Sequence, residues 1–224
     1  MLRTIQLVSV LALSCSITAC AGLLDSNEPP EKTYWLEPLI VSQATVPDRP
    51  RPSLTLTVSA APGLDTDRLL ILGPGARLNF YAAARWPDHF PEVLASLLQT
   101  TLESTERYSR VMASPSSRAT DWTLELEVRE LFTVTKAPEF GPVVRIVLRG
   151  YVNCAESDAA IAIQTDVGVD DSRLSNIVAG YQQALREISQ QLLVRLADSC
   201  DVTDAQASVF GRAQVTDYAR SRFR

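Results

Sequence analysis

Three consecutive segments in the second half of the chain alternate between apolar and polar residues, and this pattern limits the folds that the chain can adopt. In residues 121–135 one face of an extended strand is apolar, with Trp122, Leu124, Leu126, Val128, Phe132 and Val134. Residues 143–154 and 160–169 repeat the alternation. Strands with one buried face and one wet face are typical of antiparallel sheets. The pattern therefore predicts a mainly antiparallel sheet with a single covered face.

Two other segments have apolar residues at helical spacing. The first runs from Asp88, which can cap a helix, to Arg107, with Phe90, Val93, Leu94, Leu97, Leu98, Thr101 and Leu102 on one side. The second runs from the possible cap Ser172 to Ala197, with Leu174, Ile177, Val178, Tyr181, Leu185, Ile188, Leu192 and Leu196. We therefore predict an α/β fold in which a single mixed or mainly antiparallel sheet is packed by two amphipathic helices.

Shorter strands are predicted before the first helix. Their positions follow from β-branched and aromatic residues bounded by Gly and Pro turns, at residues 34–39, 54–58, 68–72 and 78–81. The last two flank Gly73-Pro74-Gly75 and so predict a hairpin.

The first nineteen residues have the pattern of a secretory signal. Arg3 is followed by the apolar run Leu7–Leu13, which is too short to cross a bilayer as a helix. Small residues then lead directly into Cys20, and this arrangement resembles the lipobox of bacterial lipoproteins, in which a peptidase cuts before a diacylated cysteine. The alternative is an ordinary cleaved signal with incidental cysteines. Cys15 fits the lipobox less well.

The domain organisation follows from these signals. Residues 1–19 are the predicted lipoprotein signal peptide, and residues 20–33 are the lipidated cysteine and a flexible tether containing Pro29-Pro30. Residues 34–200 form one predicted domain, and residues 201–224 are a C-terminal tail with four arginines.

The charge of the chain argues against nucleic acid as a partner. The formal net charge is −5, and Arg3 is the charged residue that the predicted signal would remove, which leaves −6. Neither nucleic acid nor a basic membrane-binding patch fits an acidic chain. Membrane attachment would then depend on the lipid, and stable residence requires more than one acyl chain.

Two cysteines remain in the predicted domain, Cys154 and Cys200. In an exported protein an even remainder favours a disulfide, and the alternative is two unpaired core thiols. The chain has no Cys-x-x-Cys motif and one histidine, so we expect no metal site, no redox centre and no cofactor.

Catalytic motifs are weak in this sequence. His89 is not accompanied by a Gly-x-Ser-x-Gly elbow, and the stretch Gly73–Ala76 lacks the Gly-Lys-Ser/Thr ending of a phosphate loop. We therefore expect no catalytic residue and predict that the protein is not an enzyme.

Two aromatic residues are candidates for partner binding. Trp86 lies between Arg85 and Pro87, where it is either a wedge in the core or an anchor facing a partner. Phe140 lies in the turn 136–142, stiffened by Pro138 and Pro142, where it either binds a partner or folds back on the sheet edge.

Taken together, these residues resemble the auxiliary lipoprotein component of bacterial ABC-type lipid transporters, the family of paraquat-inducible protein C. The resemblance rests on the lipobox at Cys20, on Tyr34-Trp35-Leu36 and Leu69-Leu70-Ile71, and above all on Arg85-Trp86-Pro87-Asp88 opening into Phe90–Leu94. It spans residues 34–197, and the arginine-bearing tail departs from the family pattern.

The resemblance implies a role, a location and partners. The role is to assist an MCE (mammalian cell entry) periplasmic protein and an ABC permease with its ATPase in moving phospholipid between the inner and outer membranes. Relatives look like ring-forming lipoproteins, which implies a homo-oligomer. Ala21 after the acylated cysteine, where an aspartate would retain the protein, indicates the periplasmic face of the outer membrane. The rival classes are a lipid-binding carrier and, further removed, an exported hydrolase.

Overall fold

A computed structural model of the protein describes residues 30–41, 51–113, 119–135, 141–154 and 157–200. The chain divides after Glu31, and the domain described below belongs to the unit that starts at Lys32. The strands are β1 Lys32–Thr33, β2 Ser53–Ala60, β3 Arg68–Gly73, β4 Arg77–Arg85, β5 Arg110–Ala113, β6 Trp122–Val134, β7 Val143–Cys154 and β8 Ser157–Gly168. The helices are α1 Phe90–Ser104 and α2 Leu174–Cys200. No helix within the described ranges is long and apolar enough to cross a membrane.

Strand β6 is the centre of a mixed eight-stranded sheet. Along its whole length it pairs with β7 in the antiparallel sense, and β7 pairs in turn with β8. Its other edge is shared, because β2 runs parallel to its first half and β3 runs parallel to its last residues. Beyond β2 lies β5, and beyond β3 lie β4 and β1. The predicted α/β fold with one mixed sheet and two helices is confirmed.

A β-bulge in β6 reverses which residues face the core. It lies between the part of β6 that pairs with β2 and the part that pairs with β3. Val128 pairs with Leu148 and Glu130 with Val147, so Arg129 is the extra residue. Before the bulge the even-numbered Leu124, Leu126 and Val128 are buried, and beyond it Leu131 and Thr133 stand opposite the core residues Ile146 and Val144. The prediction that Phe132 and Val134 continue the face of Leu124 is therefore wrong, because the inserted residue reverses the phase of the strand.

The two helices cover one face of the sheet. Helix α1 packs on β2 and β5, α2 packs on β7 and β8, and the two helices touch each other. Gly180 on α2 lies so close to the sheet that an added Cβ would stand 2.8 Å from a methyl group of Val169 and 3.0 Å from one of Val144. The glycine therefore sets how closely the helix approaches the sheet.

The chain ahead of the first helix differs from its predicted form. Residues 34–39, predicted as a strand, follow the two-residue β1 without regular secondary structure. Helix α1 begins at Phe90 with His89 as its N-cap, and the Asp88 carboxylate accepts a hydrogen bond from the His89 backbone N–H (2.8 Å). At the start of α2 the Asp171 carboxylate likewise accepts the Arg173 N–H (2.9 Å). Asp88 and Asp171 thus support the turns that precede the helices.

Candidate functional site

An apolar groove lies between the chain after β1 and helix α1. It has a volume of about 270 Å³ and is lined by Trp35, Leu36, Pro87, Asp88, Glu92, Val93, Ser96 and Leu97. Leu36 is buried, whereas the Trp35 side chain beside it is 72% exposed. An exposed tryptophan at the mouth of an apolar groove is the type of residue that dominates protein-binding surfaces.

The segment that carries Trp35 is not a strand, but hydrogen bonds hold it against β4 and the two helices. The Tyr34 backbone N–H donates to the Arg85 carbonyl (2.9 Å). The Gln182 side chain of α2 accepts from the Glu37 N–H (2.8 Å) and donates to the Glu37 carbonyl (2.9 Å). The Val41 N–H donates to the Ser104 hydroxyl (3.0 Å). Trp35 is therefore presented by a held segment, and little backbone entropy is lost when a ligand binds it.

A cluster of charged residues lies at one end of the groove. The Asp65 carboxylate is 2.8 Å from the His89 Nδ1 atom, and Glu92 is close enough that one ligand atom from each of the three residues lies within 4.8 Å of the others. The hydrogen bond to Asp65 raises the pKa of His89 above its ordinary value. All three side chains are exposed, and Glu92 together with Asp88 contributes two carboxylates to the lining of the groove.

The same three residues are also the described residues that could in principle hold a metal ion. One imidazole and two carboxylates are ligand types that divalent transition metals accept. Full exposure to water favours the simpler state, in which Asp65 and His89 bond to each other. Sequence analysis did not find this cluster because Asp65 is 24 residues from His89, and the turn after β2 brings them together.

Trp86 is a core residue, and its placement as a partner-facing anchor is wrong. Its side chain is 1% exposed and lies between Phe90, at 5.8 Å between ring centroids, and Tyr181, at 5.1 Å. Strand β4 contains a bulge opposite β3, because extra β4 residues lie between the pairs Leu70–Phe80 and Arg68–Arg85. Within this bulge Ala83 adopts a positive φ of 53°. This bulge reorients the strand end so that Ala84 and Trp86 point inward.

The Trp86 environment contains a buried polar atom without a hydrogen bond. The Trp86 indole nitrogen has no partner among the described residues, whereas the Tyr181 hydroxyl interacts with the Thr133 side chain. Burial raises the pKa of the Tyr181 hydroxyl, which stays protonated at any physiological pH. Trp86 and Tyr181 therefore join α2 to the β4–α1 connection by packing.

Two other predicted site residues, Cys20 and Phe140, lie outside the described residues. The end of the turn that carries Phe140 is described, and it is closely packed. The Val169 N–H donates to the Pro142 carbonyl (2.9 Å), and a Cβ on Gly141 would collide with the Val169 carbonyl oxygen. This end of the turn is therefore anchored on the chain that follows β8.

Cys154 and Cys200 are joined by a disulfide in the structure. Their Cα atoms are 5.7 Å apart, within the range that a disulfide spans. The bond links the last residue of β7 to the last residue of α2, and both cysteines are buried.

A second depression, lined by charged and apolar residues, lies on the sheet face opposite the helices. It has a volume of about 460 Å³, and its lining includes Glu125, Glu127, Arg129, Arg149 and Tyr151. Glu127 and Arg129 form an ion pair at 2.7 Å, and Tyr151 is 66% exposed. Oppositely charged neighbours partly neutralise this surface, so it has less electrostatic character than the groove, whose lining carries two carboxylates.

Comparison with protein families identifies the domain that carries these features. Residues 34–193 match the model of the family described as the ABC-type transport auxiliary lipoprotein component. The chain belongs to this family. The match covers the groove, Trp86 and the turn of Phe140, whereas Cys20, Cys200 and the arginine-bearing tail lie outside it.

Solved structures with the same fold are distant in sequence. The crystal structure of protein XCC0632 from Xanthomonas campestris superposes with a TM-score of 0.63 at 17% identity, covering 72% of this auxiliary lipoprotein chain and 91% of the other. The crystal structure of an uncharacterized protein has a TM-score of 0.56 at 13% identity, covering 74% and 99%. No curated protein sequence matches the chain significantly. The structural neighbours support the fold alone.

Proposed function

We propose that this protein is a non-enzymatic lipoprotein, tethered to the periplasmic face of the outer membrane, that serves an MCE/ABC-type system moving phospholipid between the inner and outer membranes. The observation that carries the proposal is the family match over residues 34–193. The partners are an MCE-domain periplasmic protein and the ABC permease with its ATPase. The protein acts as a homo-oligomeric ring, and its contribution is to bind these partners.

The size of the apolar groove favours an adaptor over a lipid carrier. Pockets that enclose small ligands typically measure about 300–1,000 Å³. The groove measures about 270 Å³ and is open at Trp35, so it suits one or two side chains better than a pair of acyl chains. Mass spectrometry of lipids extracted from the purified protein separates the two roles. Stoichiometric phospholipid retained through purification would favour the carrier.

The assembly itself can be tested in cells. Chemical cross-linking in intact cells, followed by purification of the tagged chain, should recover the MCE protein, the permease and the ATPase. Native mass spectrometry of the purified mature chain should give one closed oligomer. A monomer that recovers none of the three partners would refute the transport role.

The lipid anchor is tested by Cys20→Ser. The lipobox places the acyl chains on this residue, and a tether separates it from the domain. We expect the variant to leave the membrane fraction while its far-UV circular dichroism is unchanged. Cys15→Ser is the matched control and should stay in the membrane. Equal retention of both variants in washed membranes would remove the anchor at Cys20 from the proposal.

The turn 136–142 is proposed as part of the partner interface. Its described end, at Gly141 and Pro142, is anchored to Val169 after β8, and the sequence of the turn supplies the aromatic residue Phe140. We expect Phe140→Ser to lower recovery of the MCE partner by about tenfold, the equivalent of 1.4 kcal/mol, with the melting temperature nearly unchanged.

Tyr151→Ser serves as the matched control for Phe140→Ser. It removes an exposed aromatic ring from β7, the strand that follows the turn, nine residues beyond Pro142. If Phe140→Ser instead unfolds the domain and the folded fraction binds normally, Phe140 belongs to the core and the interface lies elsewhere.

A further inference from the structure

The groove beside Trp35 combines two properties that together specify a ligand. Its floor is apolar, with Leu36, Val93 and Leu97, and its described lining residues include two carboxylates, Asp88 and Glu92, and no cation. A third carboxylate, Asp65, lies next to Glu92 and is already hydrogen-bonded to His89. A complementary ligand has an apolar side chain flanked by guanidinium or ammonium groups.

The chain contains one such segment outside the described residues. Residues 220–224 read Arg-Ser-Arg-Phe-Arg, which places one phenylalanine between arginines and carries a charge of about +3. The segment before the domain has the opposite character, since residues 20–31 contain Asp25, Glu28 and Glu31 and no lysine or arginine. Charge complementarity therefore favours the C-terminal segment over the N-terminal one.

The distance between the groove and the end of α2 allows this contact. Gln182, which holds the groove wall at Glu37, lies eighteen residues before Cys200 on α2, or about 27 Å along the helix at 1.5 Å per residue. Twenty residues separate Cys200 from Arg220, and an extended chain of that length reaches roughly 66 Å. The segment can thus reach the groove of its own chain with ample slack.

We propose that residues 220–224 dock into the groove of the same chain, with Phe223 against Trp35 and the apolar floor. The flanking arginines pair with the two carboxylates of the groove lining, Glu92 and Asp88. An arginine can also lie over the exposed Trp35 ring, where a cation gains additional stabilisation. The tail beyond the family match is then an intramolecular cover for a surface that the family domain leaves open.

Site-specific photo-cross-linking tests the docking in the full mature chain. The photoreactive p-benzoylphenylalanine replaces Phe223, and after irradiation the cross-linked peptides are identified by mass spectrometry. We expect cross-links within the monomer to residues 35–36 or 87–97. A cross-link to any other region, a product with the mass of two chains, or no product above the unirradiated sample would each overturn the proposal.

Charge reversal tests the electrostatic part of the same contact. Glu92→Lys should lower the cross-linking yield about fivefold, which corresponds to the loss of an exposed ion pair, and 1 M salt should act in the same direction. Glu125→Lys is the matched control, because it makes the same change at an exposed position on the other face of the sheet. Glu92 is exposed on the first turn of α1, so its substitution leaves the core intact.

Exchanging the charges between the groove and the C-terminal segment is a stricter test than charge reversal alone. Replacing Arg220, Arg222 and Arg224 by glutamate in the Glu92→Lys background should restore part of the yield, because the charges are then exchanged between the two surfaces. Equal losses with Glu92→Lys and Glu125→Lys, or no recovery on exchange, would show that net charge and not the groove controls the reaction and would overturn the proposal.

Discussion

The three tryptophans occupy different environments, and their positions relate the core to the surface. Trp86 is enclosed by Phe90 and Tyr181, and Trp122 is partly buried with its ring edge-on to Tyr108 at 5.9 Å. Trp35 projects into solvent. The same side chain therefore stabilises the fold at one position and is available for binding at another.

Replacing Trp86 and Trp35 by alanine should separate these roles. Trp86→Ala removes a fully buried ring and leaves a cavity under α2, so we expect the free energy of unfolding to fall by about 3–5 kcal/mol. Trp35→Ala changes an exposed residue, and its effect should stay within about 0.5 kcal/mol. Urea denaturation of both variants checks this. Similar losses for the two variants would mean that Trp35 is packed in the core.

At the scale of elements, the close approach of α2 to the sheet depends on Gly180. Replacing a helical glycine by alanine normally stabilises a helix by about 1 kcal/mol. Here the added methyl group would meet Val169 and Val144, whose β-branched side chains yield little, so overpacking at a cost of about 1–3 kcal/mol outweighs the gain. We expect Gly180→Ala to lower the unfolding free energy by about 1 kcal/mol.

A double-mutant cycle provides the control for Gly180→Ala. Val169→Ala removes the nearer of the two methyl contacts, at 2.8 Å. In that background Gly180→Ala should cost less than it does alone, because the two residues are in direct contact. A stabilising effect of Gly180→Ala in the unaltered chain would mean that the helix can move away from the sheet freely.

The sequence was informative where structure is determined locally. The alternation in residues 143–154 predicted the bounds of β7, and the Gly73–Gly75 turn predicted the β3–β4 hairpin. The sequence does not reveal the bulge at Arg129, because the alternation of charged and apolar residues continues through this position as it would in a regular strand. The parallel pairing of β2 with β6 was equally invisible, since its partners are more than sixty residues apart.

The candidate groove was missed for a related reason. The aromatic residues around Trp35 favour a strand, but among the described residues this segment bonds to the side chains of Gln182 and Ser104, and its backbone bond to the sheet is at Tyr34. Trp86 was identified as important, and its tertiary environment decided between core and surface. The roles proposed for Phe140 and Cys20 would require a partner and lipid, and both residues lie outside the described part of the chain.

At the scale of the whole molecule, the bond between Cys154 and Cys200 joins the sheet to the end of the last helix. It spans 46 residues, and a closed loop of that length restricts the unfolded chain by roughly 2–4 kcal/mol. We expect the Cys154→Ala/Cys200→Ala variant to lose stability in this range. The mature native protein should show no free thiol at either position under non-reducing conditions.

A reductant supplies the control for the double variant. Because both cysteines are buried, reduction should require partial unfolding, after which the reduced native protein should approach the stability of the double variant. Two titratable thiols in the protein isolated from cells under non-reducing conditions would contradict the pairing of Cys154 with Cys200.

The shared edge of β6 has a consequence for how the domain is made. Strands β2 and β3 precede β6 by some sixty residues, yet both need its free edge to complete their ladders. A chain synthesised from its N-terminus therefore produces two apolar strands long before their template exists. Such distant pairings imply slow acquisition of the native state. During that interval β2 and β3 each keep one edge unpaired, even where β5 and β4 pair with the other edge, and the unpaired edges are open to aggregation.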